Sequence, residues 1–209
     1  MAAFLLGARR MDTQRRCRRG LQSACLGPKL HPATERGSMK TLLKMPDALF
    51  MDLIAHLLRP DSIHEEAAFL FVNSSRFEDH VNFEVVESMK LTPEDFETQE
   101  SDYLELKDTT RARLIKRAHD LGASLVEMHS HPGARTAAFS LADRVGLQET
   151  VPHMWWRLRS RPYVAIVVAR NCFDALVWLD DPKIPLPLGG ILAGEHLRRP
   201  TNQSLKGWT

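Results

Sequence analysis

Residues 124–143 read SLVEMHSHPGARTAAFSLAD: an apolar run that ends in two histidines, a proline, and a loop closed by a serine and an aspartate. Residues 124–128 have the length and composition of a short strand. His129 and His131 follow it two apart, and in an extended chain residues i and i+2 point to one face. Both imidazoles can therefore converge on one ion. Pro132 ends the strand because it has no N–H to give a ladder. Asp143 opens a predicted helix over 141–158, expected to be interrupted at Pro152, and offers a third, anionic ligand. Two imidazoles and a carboxylate suit zinc with a fourth position left to water, and zinc brings the pKa of such a water toward neutrality. An isolated H-x-H pair also fits a solvated turn. The added proline, serine and aspartate weigh the stretch toward metal chemistry.

On either side of this stretch helices and strands alternate. Residues 46–59 (PDALFMDLIAHLLR) predict a helix, with Leu49, Phe50, Leu53, Ile54, Leu57 and Leu58 at helical spacing. Pro46 suits its first turn and Pro60 closes it. Met39 is read as followed at once by this helix. Residues 67–72 (AAFLFV) and 82–88 predict strands, and the acidic segment 89–108 a surface loop with a short strand. A helix is expected over 109–121, capped by Asp108 or Thr109 and stopped by Gly122. Residues 163–169 and 173–179 predict two strands joined by a turn at Arg170–Asn171. No glycine-rich phosphate loop is present. The expected class is α/β, a mixed sheet flanked by helices. Composition divides the chain into a basic arm (1–38), a domain (39–181) and a Pro/Gly-rich C-terminal tail (182–209).

The pattern His129-Ser130-His131-Pro132, seven residues, then Ser140-Leu141-Ala142-Asp143 resembles the JAMM/MPN-plus (JAB/Mov34-type) zinc metalloprotease family. The usual spacing there is six residues. The longer loop with a phenylalanine before the serine, here Phe139, resembles the family's bacterial branch. The family also carries an upstream glutamate at a helix-to-strand junction, three residues before a small residue. Glu65, with Ala68 at that offset, fits better than Glu66, which has the bulky Phe69 there. The resemblance implies an MPN/JAMM-like, cytidine-deaminase-like sandwich. It implies one Zn2+ per chain held by His129, His131 and Asp143. Glu65 would be the general base and Ser140 the hydrogen-bond donor to the developing oxyanion. The implied reaction is hydrolysis of an amide bond, after the C-terminal tail of a ubiquitin-like or sulfur-carrier protein, with an E1-like enzyme as a further partner. The alternative is a catalytically silent MPN-type scaffold or interaction module. Ser130, between the histidines, is expected to face away from the ion.

Charge narrows the partners further. Residues 1–38 hold eight Lys/Arg and two Asp/Glu, whereas residues 39–209 hold 20 and 24. The domain is thus mildly acidic, which argues against nucleic acid as its ligand. Three readings fit the arm: a targeting peptide, a basic segment touching an acidic partner, or sequence upstream of a start at Met39. No stretch approaches the ~18 apolar residues of a membrane span, so no membrane partner is expected. Three scattered cysteines fit a reducing, cytoplasmic setting. His56 is expected to be packed, His119 exposed, and His153, Trp155 and Trp156 to be core or interface before a substrate groove. Cys172 lacks a neighbouring base in sequence.

Overall fold

The computed structural model describes residues 40–60 and 62–208. The basic arm 1–38 and the readings made of it lie outside the described residues. In chain order the elements are β1 (Lys40–Met45), α1 (Asp47–Leu57), β2 (Ala67–Arg76), β3 (His80–Lys90), β4 (Phe96–Gln99), β5 (Leu104–Leu106), α2 (Asp108–Leu121), β6 (Ser124–Ser130), α3 (Leu141–Arg157), β7 (Tyr163–Ala169), β8 (Cys172–Trp178), β9 (Leu186–Pro187), β10 (Gly190–Ala193) and β11 (His196–Arg198).

Among the described residues nine strands form one mixed sheet in the order β11-β10-β1-β3-β2-β6-β7-β8-β9. β1 runs parallel to both β10 and β3, and β6 parallel to β7; the other pairs are antiparallel. The central strands are buried on both faces, which is why AAFLFV and YVAIVVA read as unbroken apolar runs. Alternation splits them between two cores. Ala68, Leu70, Val126, Met128, Val164 and Ile166 meet Phe50, Leu53 and Leu57 of α1. Phe69, Phe71, Leu125, Ala165 and Val167 meet α2, α3 and the small β4–β5 ribbon on the opposite face. The observed class is therefore the expected one, a mixed α/β sheet flanked by helices.

Several elements differ from the sequence expectation. Position 39 is not followed at once by a helix: the strand β1 intervenes, alternating exposed with buried residues so that Leu43 and Met45 enter the core. Its neighbours β3 and β10 are distant in sequence, so no local turn signals it. Segment 89–108 is more than a surface loop. A 3-10 turn at Pro93–Asp95 leads into the β4–β5 ribbon, whose Phe96, Leu104 and Leu106 are buried. α3 runs through Pro152 without a break. The carbonyl that proline leaves unpaired belongs to Gln148, an exposed residue. α2 ends as expected, on Gly122 in the left-handed conformation.

The segment after Pro182 supplies β9, β10 and β11 to the same sheet. Gly189 makes this possible. Its N–H donates to the Thr41 carbonyl at 2.8 Å, and a Cβ there would stand 2.5 Å from that oxygen. Among the described residues no helix is long and apolar enough to cross a membrane.

Candidate metal centre

β6 extends two residues beyond its expected end, so His129 stands inside the strand and His131 just past it. His131 is held by its N–H, which donates to the Val168 carbonyl of β7 at 2.8 Å. The two rings approach to 5.1 Å between centroids. Asp143 reaches them from the first turn of α3. Ser140 caps that helix in a reciprocal box: its Oγ accepts from the Asp143 N–H at 3.0 Å, and its N–H donates to Asp143 Oδ2 at 2.7 Å. The box fixes the carboxylate against the imidazoles. Asp143 Oδ1 lies 3.6 Å from His129 Nε2, and Oδ2 lies 3.2 Å from His131 Nε2.

These three residues offer ligand atoms within 4.8 Å of one another. His129 and Asp143 are buried, and His131 is partly so. His129 Nε2 is buried with no hydrogen-bond partner among the described residues. A buried ring nitrogen without a partner is costly unless something takes its lone pair. With two imidazoles and a carboxylate around it, the donor set fits a zinc ion with an open coordination position.

Glu65 and Glu66 separate cleanly. Glu65 is buried, and its Oε1 stands 3.3 Å from His131 Nε2. Burial, then the charges of Asp143 and Asp102, push its carboxyl up to about 9. Glu66 points elsewhere: its carboxylate accepts from Ser62 Oγ at 3.0 Å and Gln99 Nε2 at 3.2 Å. Asp143 behaves oppositely to Glu65. Burial raises its carboxyl, but the adjacent imidazoles of His129 and His131 reverse this and hold it far below the ordinary range. Ser140 is exposed at the rim. Beside His131 a cleft of about 470 Å³ opens, lined by Pro132, Gly133, Ala134, Arg135, Arg170 and Asn171.

Sequence reasoning missed two contributors. Gln99 donates from Nε2 to the Glu65 carbonyl at 2.8 Å, and the Glu65 N–H donates to the Glu100 carbonyl at 2.9 Å. The tip of the β4–β5 ribbon thus holds the glutamate's backbone. Its only sequence sign is Gln99 amid acidic residues. Glu127, two residues before His129, is buried and accepts the Tyr163 hydroxyl proton at 2.5 Å. Burial pushes its carboxyl up to about 7, the Tyr163 hydrogen bond opposing and the Asp143 charge adding. The remaining histidines stay apart: His56 Nε2 bonds the Ala67 carbonyl and His119 Nε2 the Arg157 carbonyl. Trp156 is 71% exposed, while Trp155 packs against the core.

Comparison with known proteins places this geometry in context. Residues 47–176 match the family described as prokaryotic homologs of the JAB domain. No curated protein matches the chain.

Proposed function

Because the chain belongs to the prokaryotic homologs of the JAB domain, we propose that it is a zinc-dependent metallopeptidase or isopeptidase. The observation that carries this reading is the convergence of His129, His131 and Asp143 within 4.8 Å, with Glu65 alongside. The two imidazoles and the Asp143 carboxylate would hold the ion. When bound, zinc supplies a Lewis acid for an amide carbonyl and a water acidified to near neutral pH.

The chain's own groups do the rest. Glu65 Oε1 takes the proton of the attacking water and returns it to the leaving amine. Its Oε1 stands 3.3 Å from His131 Nε2, beside the residues that would hold the ion. Ser140 Oγ has a lone pair engaged by the Asp143 N–H, so its O–H is left to donate to the amide oxygen as charge develops there. The cleft beside His131 would take the substrate chain. The substrate we propose ends in a ubiquitin-like or sulfur-carrier tail, with an E1-like enzyme as companion.

Metal content tests the reading. Plasma mass spectrometry of the purified full chain is expected to find about one zinc per chain, and none in the His129→Ala/His131→Ala double variant. Cleavage of ubiquitin-like fusions should follow. Wild-type protein that holds no zinc even after reconstitution overturns the hydrolase reading in favour of a scaffold.

A further inference from the structure

The loop between His131 and Ser140 is one residue longer than the JAMM pattern, and two of the hydrogen bonds that hold its far end come from residues outside the family match, Thr201 and Ser204. The Phe139 N–H donates to Ser204 Oγ at 2.7 Å. The Ala137 carbonyl accepts from Thr201 Oγ1 at 2.8 Å, and the Ala137 N–H donates to Cys172 Sγ at 3.2 Å. Thr201 is itself tied to β8, its N–H donating to the Phe173 carbonyl at 2.9 Å. Behind this contact lies Asp174 of β8, a carboxylate with no exposed surface. Four donors meet its charge: the N–H groups of Ala175, Asn202 and Ser204, and the Ser204 hydroxyl at 2.6 Å.

The direction of these bonds is dictated by chemistry. An ionised carboxylate only accepts, so the Ser204 hydroxyl proton goes to Asp174. That turns an Oγ lone pair toward Phe139, whose N–H would otherwise be buried without a partner. Phe139 in turn touches both sides of the metal cluster. Its ring lies 5.8 Å from that of His129. Its carbonyl carbon carries the Ser140 N–H that orients Asp143 Oδ2. A shift at Ser204 therefore reaches an imidazole and a carboxylate together.

We propose that Ser204 and Asp174 are positioning residues for the metal centre, a latch by which the C-terminal segment sets the loop that delivers Asp143. The proposal rests on zinc being held by His129, His131 and Asp143. The experiment is zinc affinity, measured by competition with a chromogenic chelator on the full chain. Ser204→Ala is expected to bind zinc roughly 10-fold or more weakly, the loss typical of removing a group that supports a ligand. Cobalt(II) bound to it should show a visible absorption band displaced from that of wild type, because the carboxylate is misplaced. Leu53→Ala, in α1 on the opposite face, should lower the melting temperature at least as much yet bind zinc as wild type does. Should Ser204→Ala fail to fold, Thr201→Val severs the second tie and is expected to weaken binding severalfold. Wild-type affinity and an unchanged cobalt spectrum in these variants, with binding lost in His129→Ala, overturn the latch and leave the metal site standing. Wild-type protein that takes up no zinc overturns both.

Discussion

Ser130 Oγ accepts the backbone N–H of Glu66 at 2.9 Å, and the Ser130 N–H donates to the Glu66 carbonyl at 3.0 Å. The residue between the two histidines is thus doubly bonded to the residue after Glu65. This joins the strand that carries His129 to the peptide that carries the glutamate. Ser130→Ala leaves the buried Glu66 N–H without a partner, which costs about 1–3 kcal/mol. Urea denaturation should register that loss. Zinc content should stay at the wild-type level, since no ligand is touched.

Glu65→Gln separates an enzyme from a scaffold. The variant keeps the shape of the side chain but not its basicity, and it leaves His129, His131 and Asp143 intact. Zinc content is expected to be unchanged, and turnover of a ubiquitin-like fusion to fall by about 10²–10⁴-fold, the usual worth of a general base. Glu66→Gln is the companion variant. Its carboxylate is engaged by Ser62 and Gln99, so turnover should fall far less. Equal losses in the two variants would remove Glu65 from its special role.

Asp95, at the end of the 3-10 turn before β4, gives a pH dependence of stability. Its buried carboxylate accepts from the Thr92 N–H at 2.9 Å, Thr110 Oγ1 at 3.2 Å and Arg113 Nη2 at 2.6 Å. Burial raises its pKa, but Thr92 and Arg113 together bring it below the ordinary carboxylate value. A depressed folded pKa means stability that is present above the unfolded value and lost as pH falls through the folded one. Asp95→Asn should cost about 1–3 kcal/mol at pH 7. Denaturant midpoints of variant and wild type should converge as pH drops below ~4, the unfolded carboxylate value. A gap that persists at low pH would show that charge is not its source.

Gly189→Ala tests how firmly the C-terminal strands belong to the domain. The added methyl would collide with the Thr41 carbonyl oxygen, which is backbone and cannot swing away. Overpacking of this kind costs about 1–3 kcal/mol. The melting temperature should fall, and amide exchange should accelerate in β1 and β10 together. Faster exchange confined to residues 186–198 would mean that β1 does not depend on its C-terminal neighbour.

How much of this is legible in sequence depends on distance along the chain. His129, His131, Ser140 and Asp143 sit within 15 residues, and their geometry follows from one strand, one proline and one helix cap. The central strands announce themselves because both faces are buried. Glu65 is recognisable only through the small residue after it. β1 is not recognisable at all, because its partners Val81 and Gly190 begin far downstream. Proline and glycine in 182–209 suggest a tail, yet there they admit close backbone approach at Gly189 and a short edge at Pro187. Gln99 and Ser204 escape notice for the same reason: a polar residue in a polar segment gives no sign that its partner lies 34 or 65 residues away.

The margins of the large sheet have a consequence for solution behaviour. At one margin β9 is two residues long and ends in Pro187, which has no N–H to offer. At the other, β11 is three residues long and followed directly by Arg199 and Pro200. An open sheet of nine strands would otherwise present two long rows of unpaired main-chain groups, ready to recruit another copy into a ribbon. Brevity and proline at both borders, with the positive charge of Arg198 and Arg199 at β11, deny that template, so a sheet this wide is carried without inviting aggregation along it.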